Sequence, residues 1–195
     1  MPSWLEDVEK VLARTPIGRF SPDAPGVRAA VLVPLFVDGG SLWVLLTRRS
    51  RAVAHHPGQI VFPGGARDVG DDDEVATALR EAREELGIEP GHVMILGHLS
   101  DVATSSGYLV SPVVGAIPWP LSLKLTDSEV EEIIRLPLVA LSSPDLVEER
   151  EIMVAGRPVA SPIFHYGKTR IWGATARIVV DLLERLSLAS PGGEA

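Results

Sequence analysis

The stretch GGARDVGDDDEVATALREAREELGI, residues 64–88, decides the fold. It opens with two glycines, Gly64 and Gly65, which follow a short apolar run. A helical pattern comes next, because apolar residues recur at helical spacing at Val75, Ala78, Leu79, Ala82 and Leu86. Asp71 or Asp72 is available as the N-cap, and Gly87 is a typical C-terminal stop. The stretch predicts a glycine turn that leads directly into a helix from about Asp73 to Leu86.

Three glutamates lie on one face of this predicted helix. Glu81, Glu84 and Glu85 are spaced i, i+3 and i+4, so their side chains are neighbours. A hard divalent cation would turn their mutual repulsion into ligation, since Mg²⁺ binds carboxylate oxygens, waters and phosphate oxygens. The alternative is a solvated acidic face. On a helical wheel the apolar stripe lies roughly 120° away, which leaves the glutamates free to face a cleft.

The nine residues Arg80 to Ile88, REAREELGI, resemble the second half of the Nudix box, R-E-U-x-E-E-x-G-U, where U is aliphatic. In the first half of the family pattern, a glycine is followed by five residues, a glutamate and then seven residues before the arginine. This chain departs from that first half. The sixth residue after Gly65 is Asp71 instead of Glu, and eight residues separate it from Arg80, so the role of Asp71 is left open. The resemblance implies an α/β fold, a Nudix-type α/β/α sandwich with a mixed sheet, and a metal-dependent hydrolase.

The flanking residues resemble the coenzyme A pyrophosphatase branch of that family. The branch pattern is L-L-T-x-R-S, three residues, R, three residues, G, three residues, F-P-G-G. The chain has LLTRRS at 45–50, Gly58, and FPGG at 62–65, but Ala54 replaces the expected arginine. Further matches extend from about residue 28 to residue 185, and include IWGATA at 171–176, for which packing is the favoured role.

The resemblance assigns roles to the acidic residues and the glycine turn. Glu84 and Glu85 are expected to bind Mg²⁺ or Mn²⁺, and Glu81 to bind the metal or orient a water. The carbonyl of Gly65 is a further candidate ligand, because a glycine turn lets the main chain approach closely. Arg80 is included in the catalytic set but is interpreted as a positioning salt bridge. Glu129, Glu131 and Glu132 are candidate general bases, with Glu129 preferred, although such a run is also typical of a solvated strand edge.

Basic residues around the box are candidates for the substrate phosphates, because Arg and Lys suit phosphate oxygens. The expected substrate-binding set is Arg48, Arg49, Arg51, His56 and Gly64, with Lys168 and Arg170 as further candidates for a 3′-phosphate. Each of these charges, taken alone, is more typical of a protein surface than of a binding site. His55 and His56 are expected to contact substrate or belong to a loop, since Mg²⁺ prefers oxygen.

Length and composition limit the class of protein. The 195 residues predict a single domain over 1–195, with a core at about 26–188 and an N-terminal helix at 3–14. The net charge of −8 argues against nucleic-acid binding, and the local acidity implies a cation. The chain has no cysteine, its longest apolar run is broken by Pro34, and its first residues do not resemble a secretory signal. We therefore expect a cytoplasmic protein without membrane contact, and a homodimer is a further expectation.

The remaining elements are predicted from periodicity and turn residues. The expected strands cover residues 27–37, 42–47, 59–62, 93–99, 108–117 and 130–136, the first two forming a hairpin. A polar loop is expected at 48–57, a late hairpin at 152–154 and 159–164, and a closing helix at 174–188. Mixed strands and helices in this order indicate an α/β sandwich.

The function implied by the resemblance is hydrolysis of coenzyme A or acyl-coenzyme A to 3′,5′-ADP and (acyl-)4′-phosphopantetheine, a coenzyme A-type nucleotide being the expected partner. One alternative is another nucleoside diphosphate derivative, such as ADP-ribose or a nucleoside triphosphate, which the missing arginine at Ala54 keeps open. A second alternative is a non-catalytic ligand-binding module, but the presence of the three glutamates argues against it.

Overall fold

The computed structural model describes residues 3–14, 16–51, 57–125, 128–154 and 157–187. The helices are α1 (Ser3–Arg14), α2 (Glu74–Leu86), α3 (Leu138–Leu141) and α4 (Gly173–Ser187). The strands are β1 (Val27–Asp38), β2 (Ser41–Arg49), β3 (Ile60–Val61), β4 (Gly64–Ala66), β5 (Met94–His98), β6 (Val102–Ala103), β7 (Tyr108–Ala116), β8 (Val130–Pro137), β9 (Val147–Val154), β10 (Arg157–Tyr166) and β11 (Thr169–Ile171).

The main sheet is mixed, as the sequence predicts. Within the described ranges it contains eight strands, and β9, β10 and β11 form a second sheet. Strands β1 and β2 form the expected antiparallel hairpin, whereas β1 and β7 run parallel from Val27 opposite Tyr108 to Leu35 opposite Ala116. On the outer side of β2, β8 pairs antiparallel.

The glycine turn enters the sheet where β1 and β2 separate. The two strands pair next to their turn, with Leu35 opposite Val44. Further along, β4 pairs with β1 through Ala30 and Gly65, and β3 pairs with β2 through Thr47 and Val61. The segment that carries Gly64 and Gly65 therefore runs between the two strands of the hairpin, within the sheet.

Helices cover both faces of the main sheet, which confirms the α/β/α architecture. Helix α2 packs its small and apolar residues, Ala78, Ala82 and Leu86, against Leu32, Phe36, Leu45 and Val113 on one face. Helices α1 and α4 cover the other face and pack against Val33, Val44, Leu46 and Val114. Neighbouring residues of a strand point to opposite faces, so one strand contributes to both cores.

The helix predicted at Asp73 to Leu86 begins one residue later. The N-cap is Asp73, whose carboxylate accepts the N–H of Ala76 at 2.8 Å, so the expected cap at Asp71 or Asp72 is wrong. Asp71 is held by an arginine instead, as described below. Gly87 ends the helix with φ 67°, a left-handed conformation that glycine adopts without strain, and confirms the predicted stop.

Two other predicted boundaries differ. Arg48 and Arg49 belong to β2 and not to a loop, because β3 and β8 flank this end of the strand and continue its hydrogen bonding. Residues 52–56 of the expected loop lie outside the described residues. The late hairpin is longer than predicted, with Val147 opposite Phe164, and its turn at 155–156 lies outside the described residues. No helix in the described part of the chain combines the length and apolarity needed to cross a bilayer.

Candidate functional site

Arg80 is the centre of the hydrogen-bonded network on α2. Its Nη1 donates to Oε1 of Glu81 at 2.9 Å and to Oε2 of Glu84 at 3.1 Å. Its Nη2 donates to the carbonyl of Ala66 at 3.0 Å and to Oδ2 of Asp71 at 3.0 Å. One guanidinium therefore joins two of the predicted site glutamates to the β4 backbone and to the preceding loop, as expected of a positioning residue.

Asp71 holds Arg80 from the loop between β4 and α2. The carboxylate is 8% exposed, and it also accepts the N–H of Asp68 at 2.9 Å. The hydrogen bond from Arg80 is the main reason that the pKa of Asp71 is lowered from 3.8 to about 2. Asp71 therefore remains ionised, and the pair is an ion pair with hydrogen bonds of fixed geometry.

The carboxylate of Glu81 lies directly against Gly65. A Cβ on Gly65 would lie 2.4 Å from Oε1 of Glu81 and 2.6 Å from its Cδ, distances that real Cβ atoms essentially never show. A side chain on residue 65 would therefore force the Glu81 carboxylate to move. Burial raises the pKa of Glu81, while the hydrogen bond and charge of Arg80 oppose that rise. The structure therefore places the Glu81 carboxylate beside the glycine turn.

The three glutamates differ in exposure. The side chain of Glu84 is 49% exposed and that of Glu81 is 17% exposed, whereas Glu85 is buried at 4%. Glu85 thus belongs to the buried side of the helix with Ala78 and Ala82, closer to the core than the helical wheel predicts. Among the described residues no three acidic or histidine side chains are grouped closely enough to hold a metal ion.

The donor chemistry of this site nevertheless fits a hard cation. Glu81, Glu84 and Glu85 offer carboxylate oxygens, which Mg²⁺ and Mn²⁺ prefer to nitrogen or sulfur. The contact between Glu81 and Gly65 brings one carboxylate to the backbone of the glycine turn. Arg80 fixes Glu81 and Glu84 relative to each other, so the side chains on which ligation would depend are already restrained.

Arg48 and Arg49 are the last two residues of β2. Leu45 of β2 packs in the α2 core and Leu46 in the α4 core. Because side chains alternate along a strand, Arg48 lies on the α4 side with Leu46, opposite Ile60 of the same core. The pairing of β2 with β8 shifts register between Arg48 and Arg49.

Each arginine is paired with a glutamate from the β8 region. Arg49 Nη2 donates to Oε2 of Glu129 at 2.8 Å, and Arg48 Nε donates to Oε2 of Glu132 at 2.7 Å. Arg48 and Glu132 are also directly opposite in the strand pairing, so this pair lies on the α4 side. Glu129 is therefore the partner of Arg49, and Glu132 is the partner of Arg48.

Other predicted residues are less closely associated with the site. Arg51 is exposed just after the end of β2. Lys168 is exposed on the turn between β10 and β11, and Arg170 is exposed on β11. Gly64 lies against β1, where a Cβ would be 2.4 Å from the carbonyl of Ala30. Glycine is therefore required at position 64 for β4 to lie against β1. His55 and His56 lie outside the described residues.

Sequence reasoning missed two parts of the network. Arg67 donates to the carbonyl of Asp71 from Nε at 3.2 Å and from Nη2 at 3.0 Å, and so supports the loop. The carbonyl of Ala66 receives Arg80. The arginine four residues before Asp71 was an available signal, but a backbone acceptor leaves no signal in the sequence.

The sequence of this chain matches a known domain family and its members. Residues 26–154 match the profile of the NUDIX domain. A Nudix hydrolase NudL from Photorhabdus laumondii is 38% identical over 160 residues, which cover 82% of this chain and 85% of that protein. The peroxisomal coenzyme A diphosphatase NUDT7 of Mus musculus is 34% identical over 162 residues, which cover 83% of this chain and 69% of that protein.

A solved structure shows the same fold at low sequence identity. The MutT/nudix family protein from Enterococcus faecalis superposes with a TM-score of 0.58 at 15% identity. The match covers 96% of this chain and 75% of that protein. At this identity the likeness concerns the fold alone.

Proposed function

Because this chain belongs to the Nudix domain family, we propose that its substrate is coenzyme A or an acyl-coenzyme A. As a Nudix hydrolase it is an enzyme that cleaves phosphoric anhydride bonds. The proposed products are 3′,5′-ADP and (acyl-)4′-phosphopantetheine. A water attacks one phosphorus of the diphosphate, and the bridging P–O bond breaks.

The similarity to the mouse enzyme carries this proposal. That protein is named a coenzyme A diphosphatase, and the match to it covers 83% of this chain. The match covers 162 residues, so it extends well beyond the 25 residues of the box. The residues LLTRRS at 45–50 support the same branch.

Nudix hydrolases use divalent metal ions, and we propose Mg²⁺ or Mn²⁺ here, held by Glu81, Glu84 and Glu85 with the carbonyl of Gly65. The cation would neutralise charge on the diphosphate oxygens and favour ionisation of the attacking water. The role of Arg80 is to hold Glu81 and Glu84 in place through the contacts described above. Gly65 keeps space for the carboxylate of Glu81.

Arg49 is proposed to bind a phosphate oxygen of the substrate. Its guanidinium is 23% exposed, so it remains accessible while Glu129 orients it. Glu129, which is 52% exposed beside Arg49, is the candidate to accept the proton of the attacking water. Glu132 is the less suitable candidate, since it pairs with Arg48 on the opposite face.

A second candidate substrate class is another nucleoside diphosphate derivative, such as ADP-ribose, or a nucleoside triphosphate. The observation that favours it is Ala54, where the branch pattern has an arginine. A non-catalytic module is a poorer candidate, because all three box glutamates are present.

Product identification tests the proposal. The purified protein is incubated with Mg²⁺ or Mn²⁺ and one of four substrates: coenzyme A, acetyl-coenzyme A, ADP-ribose or ATP. The products are separated and identified by mass spectrometry. We expect 3′,5′-ADP from both coenzyme A species, with kcat/KM at least tenfold above that for ADP-ribose. Hydrolysis of ADP-ribose or ATP without turnover of any coenzyme A species would establish the second class instead.

The homodimer and the cytoplasmic location remain predictions. Light scattering would measure the oligomeric state, and cell fractionation would determine the location.

A further inference from the structure

A groove lies on the side of the molecule opposite α2. It is formed by α3, α4 and the strands β9 and β10, and has a volume of about 850 Å³. This size falls within the range of about 300–1,000 Å³ that is usual for small-molecule sites. Its lining is mainly apolar and includes Leu141, Val147, Pro162, Phe164, Val180 and Leu183. Helix α4 packs in the core on the other face of the sheet from α2, so the groove is separate from the proposed catalytic site.

Arg177 on α4 brings a positive charge into this apolar groove. Its Nη2 donates to the carbonyl of Ala103, and its Nε is buried and has no hydrogen-bond partner within the described part of the chain. Among the described residues no carboxylate lies within 4.0 Å of its guanidinium nitrogens. Burial lowers the pKa of Arg177 by desolvation, yet an arginine remains charged in proteins. A partly buried cation without a nearby carboxylate is less stable than a paired one, so an anion at this position would be favourable.

We propose that this groove binds one free long-chain carboxylate, with its hydrocarbon chain along the apolar lining and its carboxylate on the guanidinium of Arg177. The planar guanidinium matches the geometry of a carboxylate, and the apolar walls favour a hydrocarbon chain over a polar metabolite. Two carboxylates, Glu149 and Glu184, also line the groove. Both are exposed, so water and salt screen them more than they screen the partly buried Arg177.

The test uses sodium dodecanoate below its critical micelle concentration and the full-length protein with ¹³C-labelled methyl groups. We expect saturable shifts of the Leu141, Val147, Val180 and Leu183 methyl signals with a stoichiometry of one. The methyl signals of Leu45 and Val113, in the α2 core, should not move. Dodecyltrimethylammonium, which carries the same chain and the opposite charge, should bind at least tenfold more weakly. Equal binding of the two amphiphiles, or shifts confined to other methyl groups, would overturn the proposal.

Substitutions separate the charge from the apolar walls. Arg177→Gln should raise the Kd for dodecanoate at least tenfold, and Arg177→Lys should raise it less. Arg150→Gln is the matched control, since Arg150 is exposed on β9, pairs with Glu148 and does not line the groove. Val180→Trp should fill the groove and abolish binding while leaving Arg177 in place, and it decides the matter if Arg177→Gln does not fold. Wild-type affinity in Arg177→Gln, or in a folded Val180→Trp protein, contradicts the proposed site.

Discussion

Arg80 binds Asp71 with two nitrogen atoms, Nε to Oδ1 at 3.1 Å and Nη2 to Oδ2 at 3.0 Å. In the family pattern seven residues separate a glutamate from the arginine, whereas in this chain eight residues separate Asp71 from Arg80. The side chain is one carbon shorter and the connecting segment one residue longer, and the ion pair still forms. The role of Asp71, which the sequence leaves open, is therefore to anchor Arg80.

The Asp71–Arg80 pair makes stability depend on pH. Because the pKa of Asp71 is lowered from 3.8 in the unfolded chain to about 2, the pair stabilises the fold above about pH 4. This stabilisation is lost as the pH falls through about 2. The shift corresponds to about 2 kcal/mol. Asp71→Asn should reduce the free energy of unfolding in urea by about this amount at pH 7, and the difference from wild type should shrink between pH 4 and pH 2. Asp72→Asn is the exposed control, and a difference that stays constant with pH would contradict the assignment.

Arg80→Lys should lower turnover by about 10–100-fold, as is typical when a residue that orients metal ligands is replaced. A lysine ammonium cannot reach Asp71, Glu81, Glu84 and the carbonyl of Ala66 together, because it has neither the width nor the planar geometry of a guanidinium. Steady-state kinetics with coenzyme A measure the effect. Arg83→Lys, an exposed change in the same helix, should leave the rate near wild type. Similar losses in both variants would mean that general helix stability is being measured.

Gly65→Ala should reduce turnover by about 100-fold, since a displacement of about 1 Å at a catalytic group can cost this much. The new Cβ would overlap the Glu81 carboxylate, so that side chain must move. The control is Gly70→Ala, because no atom lies within 4 Å of a Cβ built there. Thermal unfolding of both variants shows whether the fold persists. Full activity of Gly65→Ala would exclude Glu81 from the site.

Arg49→Ala should raise KM for coenzyme A by about 10–100-fold, the range expected for a lost charge-assisted hydrogen bond to phosphate. Arg48→Ala is a close control: it removes the same charge one residue away, from a pair with Glu132 on the opposite face. Its KM should stay within about twofold of wild type. If Arg48→Ala has the larger effect, the substrate approaches from the α4 side and the proposed site is wrong.

Removal of divalent cations by EDTA should abolish hydrolysis, and Mg²⁺ or Mn²⁺ should restore it. Mn²⁺ binding measured by electron paramagnetic resonance provides a readout that does not depend on turnover. Glu85→Gln and Glu81→Gln should each weaken Mn²⁺ binding at least tenfold, because an amide oxygen carries no charge. Glu89→Gln, an exposed change beyond the end of α2, is the control. Unchanged Mn²⁺ affinity in Glu85→Gln would refute its role as a ligand.

Local sequence signals predicted most of the fold. The helix at Ser3–Arg14, the hairpin of β1 and β2, and the end of α2 at Gly87 follow from periodicity and turn residues, which act over a few neighbouring positions. The N-cap was misplaced by one or two residues because three consecutive aspartates, Asp71 to Asp73, are equally good caps by residue type. Arg80 lies more than one turn into α2 and binds Asp71. This contact removes Asp71 from the candidates for the cap.

The sequence by itself determined that a glycine turn precedes an amphipathic helix with three glutamates on neighbouring positions, because these features depend on spacing along one segment. The tertiary structure alone decided that Glu81 lies against Gly65, that Glu85 is buried while Glu84 is exposed, and that Arg49 pairs with Glu129 while Arg48 pairs with Glu132. The physical reason is that burial and sidedness arise when the helix packs on the sheet. Spacing fixes which residues share a face, but contact with a distant strand fixes which way that face points.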